Sequence, residues 1–105
     1  MDVIETEARL WRWQGETGPA AWYFLTIAGE PADEIRAAAA MGQWLDNGKG
    51  GFGSAKVKAT IGGTSWRTSV FPQRESGGWL LPVKKAVRTA EAIDAGDVVR
   101  VRIEL

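Results

Sequence analysis

The sequence predicts a mainly β fold: a closed or split pseudo-symmetric barrel of about six strands, with two short capping helices. Three observations lead to this prediction. Short apolar runs alternate with polar residues, two stretches carry helix signals, and the elements repeat in the same order. The chain has 105 residues and no cysteine, and this length is typical of one domain that buries its core without disulfides. We therefore expect a single β-barrel domain over residues 1–105.

The first half of the chain contains three predicted strands and one predicted helix. Residues 3–13 alternate imperfectly and contain neither Gly nor Pro, and residues 20–27 form the short apolar run of a buried central strand. Pro31 suits the first turn of a helix, and the acidic residues after it oppose the helix dipole, which predicts a helix over residues 31–44. Clean alternation then predicts a strand over residues 52–61. Glycine-containing segments are predicted to connect these elements, at residues 15–19 and 46–51.

The second half shows the same kinds of element. The Gly62-Gly63 turn leads into a predicted strand over residues 64–71, with a loop up to residue 78. Residues 79–83 are short and extended, because the residue before Pro82 is disfavoured in the helical region. Helix formers follow over residues 83–91, then a tight turn at residues 95–97. Residues 99–105 alternate most clearly of all and predict a half-buried strand.

The two halves present similar motifs in the same order, which predicts an internal repeat. Leu10-Trp11-Arg12-Trp13 resembles Ser65-Trp66-Arg67-Thr68, and the strand that begins at Trp22 matches the strand that begins at Trp79. Each half reads strand, loop, strand, helix, strand, with halves at about residues 3–62 and 63–105. Neither half has enough strands to close a core, so we expect two intertwined repeats in one barrel, with a helix at each end.

The absence of both cysteine and histidine limits the chemistry available to the chain. It removes thiolate nucleophiles, imidazole bases and the usual ligands of zinc, copper and haem. Acidic residues do not cluster along the sequence as a hard-cation site requires. We therefore expect no enzyme activity, no catalytic residues, no metal and no cofactor. The alternative is an enzyme with Lys84 or Tyr23 as its base.

Membrane insertion is also not expected. No segment approaches the ~20 consecutive apolar residues that span a bilayer. The first seven residues include Asp2, Glu5 and Glu7 and no basic residue, whereas a signal peptide would begin with basic and then apolar residues. A cytoplasmic location is the simplest interpretation.

Basic residues are concentrated in one part of a chain whose net charge is zero. Residues 51–90 contain a single acidic residue, Glu75, and seven basic residues: Lys56, Lys58, Arg67, Arg74, Lys84, Lys85 and Arg88. If these cations share one face, they attract anions; if they are spread over a barrel, they form its solvated surface.

The candidate ligand-binding residues come from this basic segment. Alternation places Ser65, Arg67 and Ser69 on the strand face opposite Trp66. Together with Lys84, Lys85 and Arg88, they could converge on a carboxylate or a phosphate. The alternative is that Arg67 pairs with Glu75, while the other three cations form the solvated side of a helix.

Two further features have a structural and a functional interpretation. Core packing is expected to explain most of the six tryptophans, but Trp13, Trp44 and Trp79 lie next to loops, where they could line a pocket, and Trp79 joins the candidate site. The segment Gly48–Gly53 matches G-x-G-x-x-G, but it follows a helix and opens a strand, unlike a dinucleotide site. We interpret it as a connection, with a weak anion-binding nest as the alternative.

Three segments resemble the small bacterial family catalogued as domain of unknown function 1905: residues 52–69, Leu81-Pro82-Val83-Lys84-Lys85-Ala86-Val87-Arg88, and Ala95-Gly96-Asp97. The resemblance covers most of the chain from about Trp22. It implies a small β-barrel with helical caps, no assigned activity and no established catalytic residues.

Residues 81–101 also resemble half of the swapped barrel of AbrB-type regulators, through Pro82, Arg88 and Gly96-Asp97. Those relatives dimerise and bind DNA through basic loops. Here the spacing from Pro82 to Arg88 is two residues longer than in their pattern, and the second half of the barrel is already present in the same chain.

These observations favour a non-catalytic module that binds a small anionic ligand or a protein partner, as a monomer or a weak homodimer. Nucleic-acid binding of the AbrB kind is the alternative function.

Overall fold

The computed structural model describes residues 3–14, 21–45 and 53–105, with the backbone alone for residues 42–45. The predicted connections at residues 15–19 and 46–51 lie outside this description. The elements follow the predicted order: β1 (Val3–Gln14), β2 (Ala21–Ile27), α1 (Glu30–Leu45), β3 (Ala55–Ile61), β4 (Thr64–Gln73), β5 (Gly78–Pro82), α2 (Lys85–Glu91) and β6 (Val98–Glu104).

Three element boundaries differ from the prediction by more than one residue. β3 begins at Ala55, so it is shorter than the predicted strand over residues 52–61. α2 begins at Lys85 and not at Val83, because Lys84 has an extended backbone that caps the helix. β4 continues through Pro72, which we had placed in a loop. The ladder between β3 and β4 ends at the Ala55–Val70 pair, so in the described chain Pro72 pairs with β5 alone. A proline is tolerated where one side of the strand has no ladder to complete.

The strands close into an antiparallel barrel in the order β1-β2-β5-β4-β3-β6, with β6 paired to β1. This arrangement confirms the predicted mainly β barrel. The order is also symmetric, because exchanging β1, β2 and β3 with β4, β5 and β6 leaves every pairing unchanged. The two longest strands, β1 and β4, each pair with one neighbour along one part and with the other neighbour along the rest.

The β1–β2 and β4–β5 hairpins, which are equivalent in this strand order, do not share a register. β1 and β2 pair Trp13 with Trp22, whereas β4 and β5 pair Trp79 with Pro72. Pro72 lies four residues beyond Thr68, the counterpart of Trp13 in the sequence comparison. The strand order is therefore symmetric at the level of topology, and the division into sequence repeats stays a prediction.

Alternating strand residues fill the interior of the barrel. Each helix adds apolar side chains to this core, Ala32 and Ile35 from α1 and Val87 from α2. α1 follows β2 and α2 follows β5, and these two strands are antiparallel neighbours, so the helices start at opposite ends of their ladder. No helix in the described chain is long and apolar enough to cross a membrane. The largest fully buried side chains are Leu10, Leu25, Ile27, Ile35, Leu81, Ile103, Val70, Val87 and Val101.

The start of α1 is closely joined to the barrel. The indole Nε1 of Trp79 donates a hydrogen bond to the Ala32 carbonyl at 3.1 Å, and the Arg36 guanidinium donates one to the Gly77 carbonyl at 2.8 Å. Gly78 lies so close to β2 that a Cβ atom there would be 2.2 Å from the Ile27 carbonyl oxygen. This junction therefore depends on a glycine and a buried tryptophan.

Candidate functional site

A groove of about 650 Å³ lies beside the start of α2, between that helix, β2 and β4. It brings together five of the seven predicted ligand-binding residues: Arg67, Ser69, Lys84, Lys85 and Arg88. We call it the basic groove. The four cations among them come from elements separated in sequence, which local periodicity alone could not place side by side.

β4 supplies Arg67 and Ser69 to the basic groove. Both side chains point outward, because Trp66 and Val70 of the same strand are buried. Arg67 pairs across the ladder with Lys58, an arrangement of like charges that disfavours folding. Ser65 lies on the same face, where its hydroxyl is 2.8 Å from that of Thr60, but it does not line the groove.

Arg88 supplies the most firmly positioned cation. Its guanidinium carbon lies 3.6 Å from the centre of the Tyr23 ring, within the range of a cation–π contact. Its Nε donates a hydrogen bond to the Val83 carbonyl at 3.2 Å. A guanidinium is planar and carries several N–H donors. Because the Arg88 group is anchored in this way, the direction of its remaining N–H donors is fixed.

Lys84 and Lys85 stand at the start of α2, and both are exposed. The first turn of this helix contains no acidic residue, and Lys84 at its N-cap makes no side-chain capping hydrogen bond. Cations at a helix N-terminus oppose the helix dipole. Local helix stability therefore does not explain these two lysines.

None of the ion pairs among the described residues involves a cation of the basic groove. They join Arg36 to Asp33, Lys58 to Glu104, Arg100 to Glu5 and Glu7, and Arg102 to Glu104. The alternative pairing of Arg67 with Glu75 is not formed. No three acidic side chains in this part of the chain could hold a metal ion together.

Trp79, the remaining predicted site residue, is in the core and does not line the basic groove. Its side chain is 4% exposed, and Ala32 accepts its N–H. Two further predictions lie outside the described part of the chain: a pocket role for the Trp44 side chain and an anion-binding nest that includes residues 48–52. Trp79 follows a loop in sequence, but α1 covers it, which local sequence does not show.

A second groove, of about 860 Å³, lies on the outer face of β1, β2, β5 and β4. Trp13 is a candidate pocket residue from its sequence position next to a loop, but the groove as a whole was not predicted. Its wall contains five aromatic side chains, which we call the aromatic shelf: Trp11, Trp13, Trp22, Phe24 and Phe71. The exposed fractions of Trp13, Trp22 and Phe71 are 49%, 54% and 45%. Of the five tryptophan side chains described, only Trp66 and Trp79 are buried, so the expectation that core packing explains most of them is wrong.

Cross-strand contacts order the aromatic shelf. The Trp11 and Phe24 ring centres are 5.2 Å apart, and the Trp22 and Phe24 rings are nearly parallel at 6.4 Å. Trp11 donates its N–H to the Thr26 hydroxyl at 2.9 Å. Trp22 and Phe24 share one face of β2, and Leu25 and Ile27 on the other face are buried, but the continuously apolar run does not show this division in the sequence.

The two grooves adjoin. Trp22, Phe71 and Pro82 line both of them. One continuous surface thus carries cations at one end and exposed aromatic rings at the other.

The comparison with known families supports the resemblance found in the sequence. No protein of curated function matches the chain. The family model for Domain of unknown function (DUF1905) matches residues 7–103, which include all three segments that carried the resemblance and most of the barrel. The chain therefore belongs to the DUF1905 family.

Proposed function

We propose that this protein is a non-catalytic binding module that holds a small anionic ligand in the basic groove. One observation carries the proposal. Four cations from two separate parts of the chain line the groove, and none of its described lining residues is acidic.

The charge arrangement favours an anion over a purely structural role. Like charges that share a groove repel one another, and a carboxylate or phosphate between them relieves that repulsion. Surface cations with a structural role commonly have a carboxylate nearby, as Lys58 and Arg100 do in this chain. The cations of the basic groove lack such a neighbour among the described residues.

The groove also offers hydrogen-bond donors of two kinds. Arg88 is held over Tyr23 and can present its guanidinium to two oxygens of one ligand group. Thr68 and Ser69 line the same space, and the Ser69 hydroxyl on the outer face of β4 can supply a neutral donor. Lys84 and Lys85 add mobile point charges that suit phosphate as well as carboxylate.

Nucleic-acid binding is the second candidate, and one observation favours it. Lys56 and Lys58 extend the basic surface past Arg67, along a further cavity that those three residues line. Glu104 lines the same cavity and pairs with Lys58, which lowers the attraction for a polyanion there. For this reason we place the small anion first.

Thermal-shift and calorimetric titrations with inorganic phosphate, citrate and a short DNA duplex test the proposal, at an ionic strength of about 0.1 M where surface charges still act. A ligand that binds only the folded protein stabilises it by about 2.7 kcal/mol at a hundred times its Kd. We expect phosphate or citrate to raise Tm, and the double variant Lys84→Ala/Lys85→Ala to weaken binding about tenfold or more.

The matched control is Arg100→Ala/Arg102→Ala, which removes the same charge from β6, outside the groove. Equal losses in both double variants would show a general charge effect and contradict the site. Tight duplex binding with a steep salt dependence, without a response to the small anions, would replace the proposal with the second candidate.

A further inference from the structure

Building on the proposed function, we infer that the ligand is an aryl anion: a planar aromatic ring that carries a phosphate or carboxylate. The basic groove binds the anionic group, and the aromatic shelf stacks against the ring. The inference rests on the continuity of the two grooves through Trp22, Phe71 and Pro82.

The exposure of the shelf is the first argument. Large side chains that leave about half of their surface in water, as Trp13, Trp22 and Phe71 do, form a patch of the kind that marks binding sites in folded proteins. Packing inside the barrel does not require them, because Leu10, Leu25 and Leu81 fill the inner face of the same strands.

The order of the rings is the second argument. Trp11 and Phe24 contact each other across strands, and Trp22 stands nearly parallel to Phe24. The hydrogen bond from Trp11 to Thr26 satisfies its N–H. These contacts hold Trp11 and Phe24 in place before a ligand arrives, which lowers the entropy cost of stacking on this part of the shelf.

The division of charge is the third argument. The shelf groove contains one basic and one acidic residue, Arg74 and Glu75, whereas all charged residues lining the basic groove are cations. A ligand that matches both ends carries its negative charge on one side and a flat apolar surface on the other. Both cavities have the size of ordinary small-molecule sites.

The test compares 2-naphthyl phosphate with glycerol 2-phosphate and with uncharged 2-naphthol, by calorimetry or ligand fluorescence. Wild type is expected to bind naphthyl phosphate about tenfold more tightly than glycerol phosphate, the gain typical of stacking one ring. Trp22→Ala changes a residue that lines both grooves, so the test is the ratio of the two affinities: we expect the two phosphates to bind equally to this variant, and Trp22→Phe to restore part of the difference. Met41→Ala, an exposed apolar change on α1 away from both grooves, is the control and keeps wild-type affinities.

The possible failures are distinguishable. Equal affinity for the two phosphates in wild type, or a naphthyl preference that survives Trp22→Ala in a folded variant, overturns the aryl inference and leaves anion binding intact. If naphthol binds as tightly as naphthyl phosphate, or neither phosphate binds at all, the proposed function itself fails.

Discussion

The starts of the two helices occupy equivalent places in the symmetric barrel, yet they carry opposite charges. α1 follows β2 and has Glu30 and Asp33 in its first turn, where carboxylates suit the helix dipole. α2 follows β5 and starts with Lys84 and Lys85, with no acidic residue in its first turn. Since the connection from β2 to α1 forms with acidic residues at the start of the helix, the fold does not require cations at the equivalent connection from β5 to α2. We call these connections the α1 junction and the α2 junction.

The contacts at the two junctions differ in the same sense. At α1, Trp79 and Arg36 bond across to the neighbouring backbone, and Gly78 allows β5 to approach β2 closely. At α2, Arg88 makes comparable contacts with the Val83 carbonyl and the Tyr23 ring, but the two lysines at the start of the helix face an open groove. The contacts at the α1 junction thus hold the fold together, while the α2 junction also carries a local energetic cost at the place where we propose a ligand.

The strongest way to break the α1 junction is Gly78→Ala. The new methyl group would meet the backbone of Ile27, which cannot turn away as a side chain can, so we expect a loss of about 1–3 kcal/mol in the free energy of unfolding. Urea denaturation measures this loss. Gly63→Ala is the matched control, because its Cβ would meet nothing within 4 Å. Similar urea midpoints for the two variants would contradict the conclusion that the close approach of β5 to β2 requires glycine at position 78.

The variant Lys84→Asp gives α2 an acidic start like that of α1. Lys84 already has the extended backbone of an N-cap, and an aspartate there can accept a backbone hydrogen bond worth about 0.5–2 kcal/mol of stability. The variant is expected to unfold at higher urea concentration while anion binding falls. Lys84→Ala removes the charge without adding a cap, so equal stability of the Asp and Ala variants would refute the capping argument.

The smallest effect is expected from the converse change, Asp33→Asn in α1. It removes a carboxylate from the first turn and its 3.1 Å ion pair with Arg36. Both partners are well exposed, so the loss is about 0.3–1 kcal/mol and shrinks in high salt. Thermal unfolding in low and high salt checks this, and a difference independent of salt would exclude an electrostatic origin.

The order of elements and the groove cations could be predicted from sequence because they leave local signals. Pro31 marks the start of α1, and the alternation around Val101 marks β6. That Arg67 and Lys84 lie close together could be predicted only from the expected barrel, since nothing in the sequence around either residue indicates the other.

The aromatic shelf and the position of Trp79 could not be predicted, for one physical reason. The run around Trp22 is apolar on both faces, so its periodicity does not say which face meets the core. Trp79 is buried because α1, distant in sequence, lies over it. Burial depends on tertiary neighbours, and local pattern does not contain them.

The pairing of β1 with β6 joins residues from the two extremes of the described chain, as in the Val3–Glu104 pair. Such a ladder forms only after nearly the whole polypeptide has been brought back on itself, which carries a large loop-closure entropy. Sequence-distant pairing of this kind slows folding to about milliseconds to seconds. A nascent chain thus cannot complete the barrel before β6 has been synthesised.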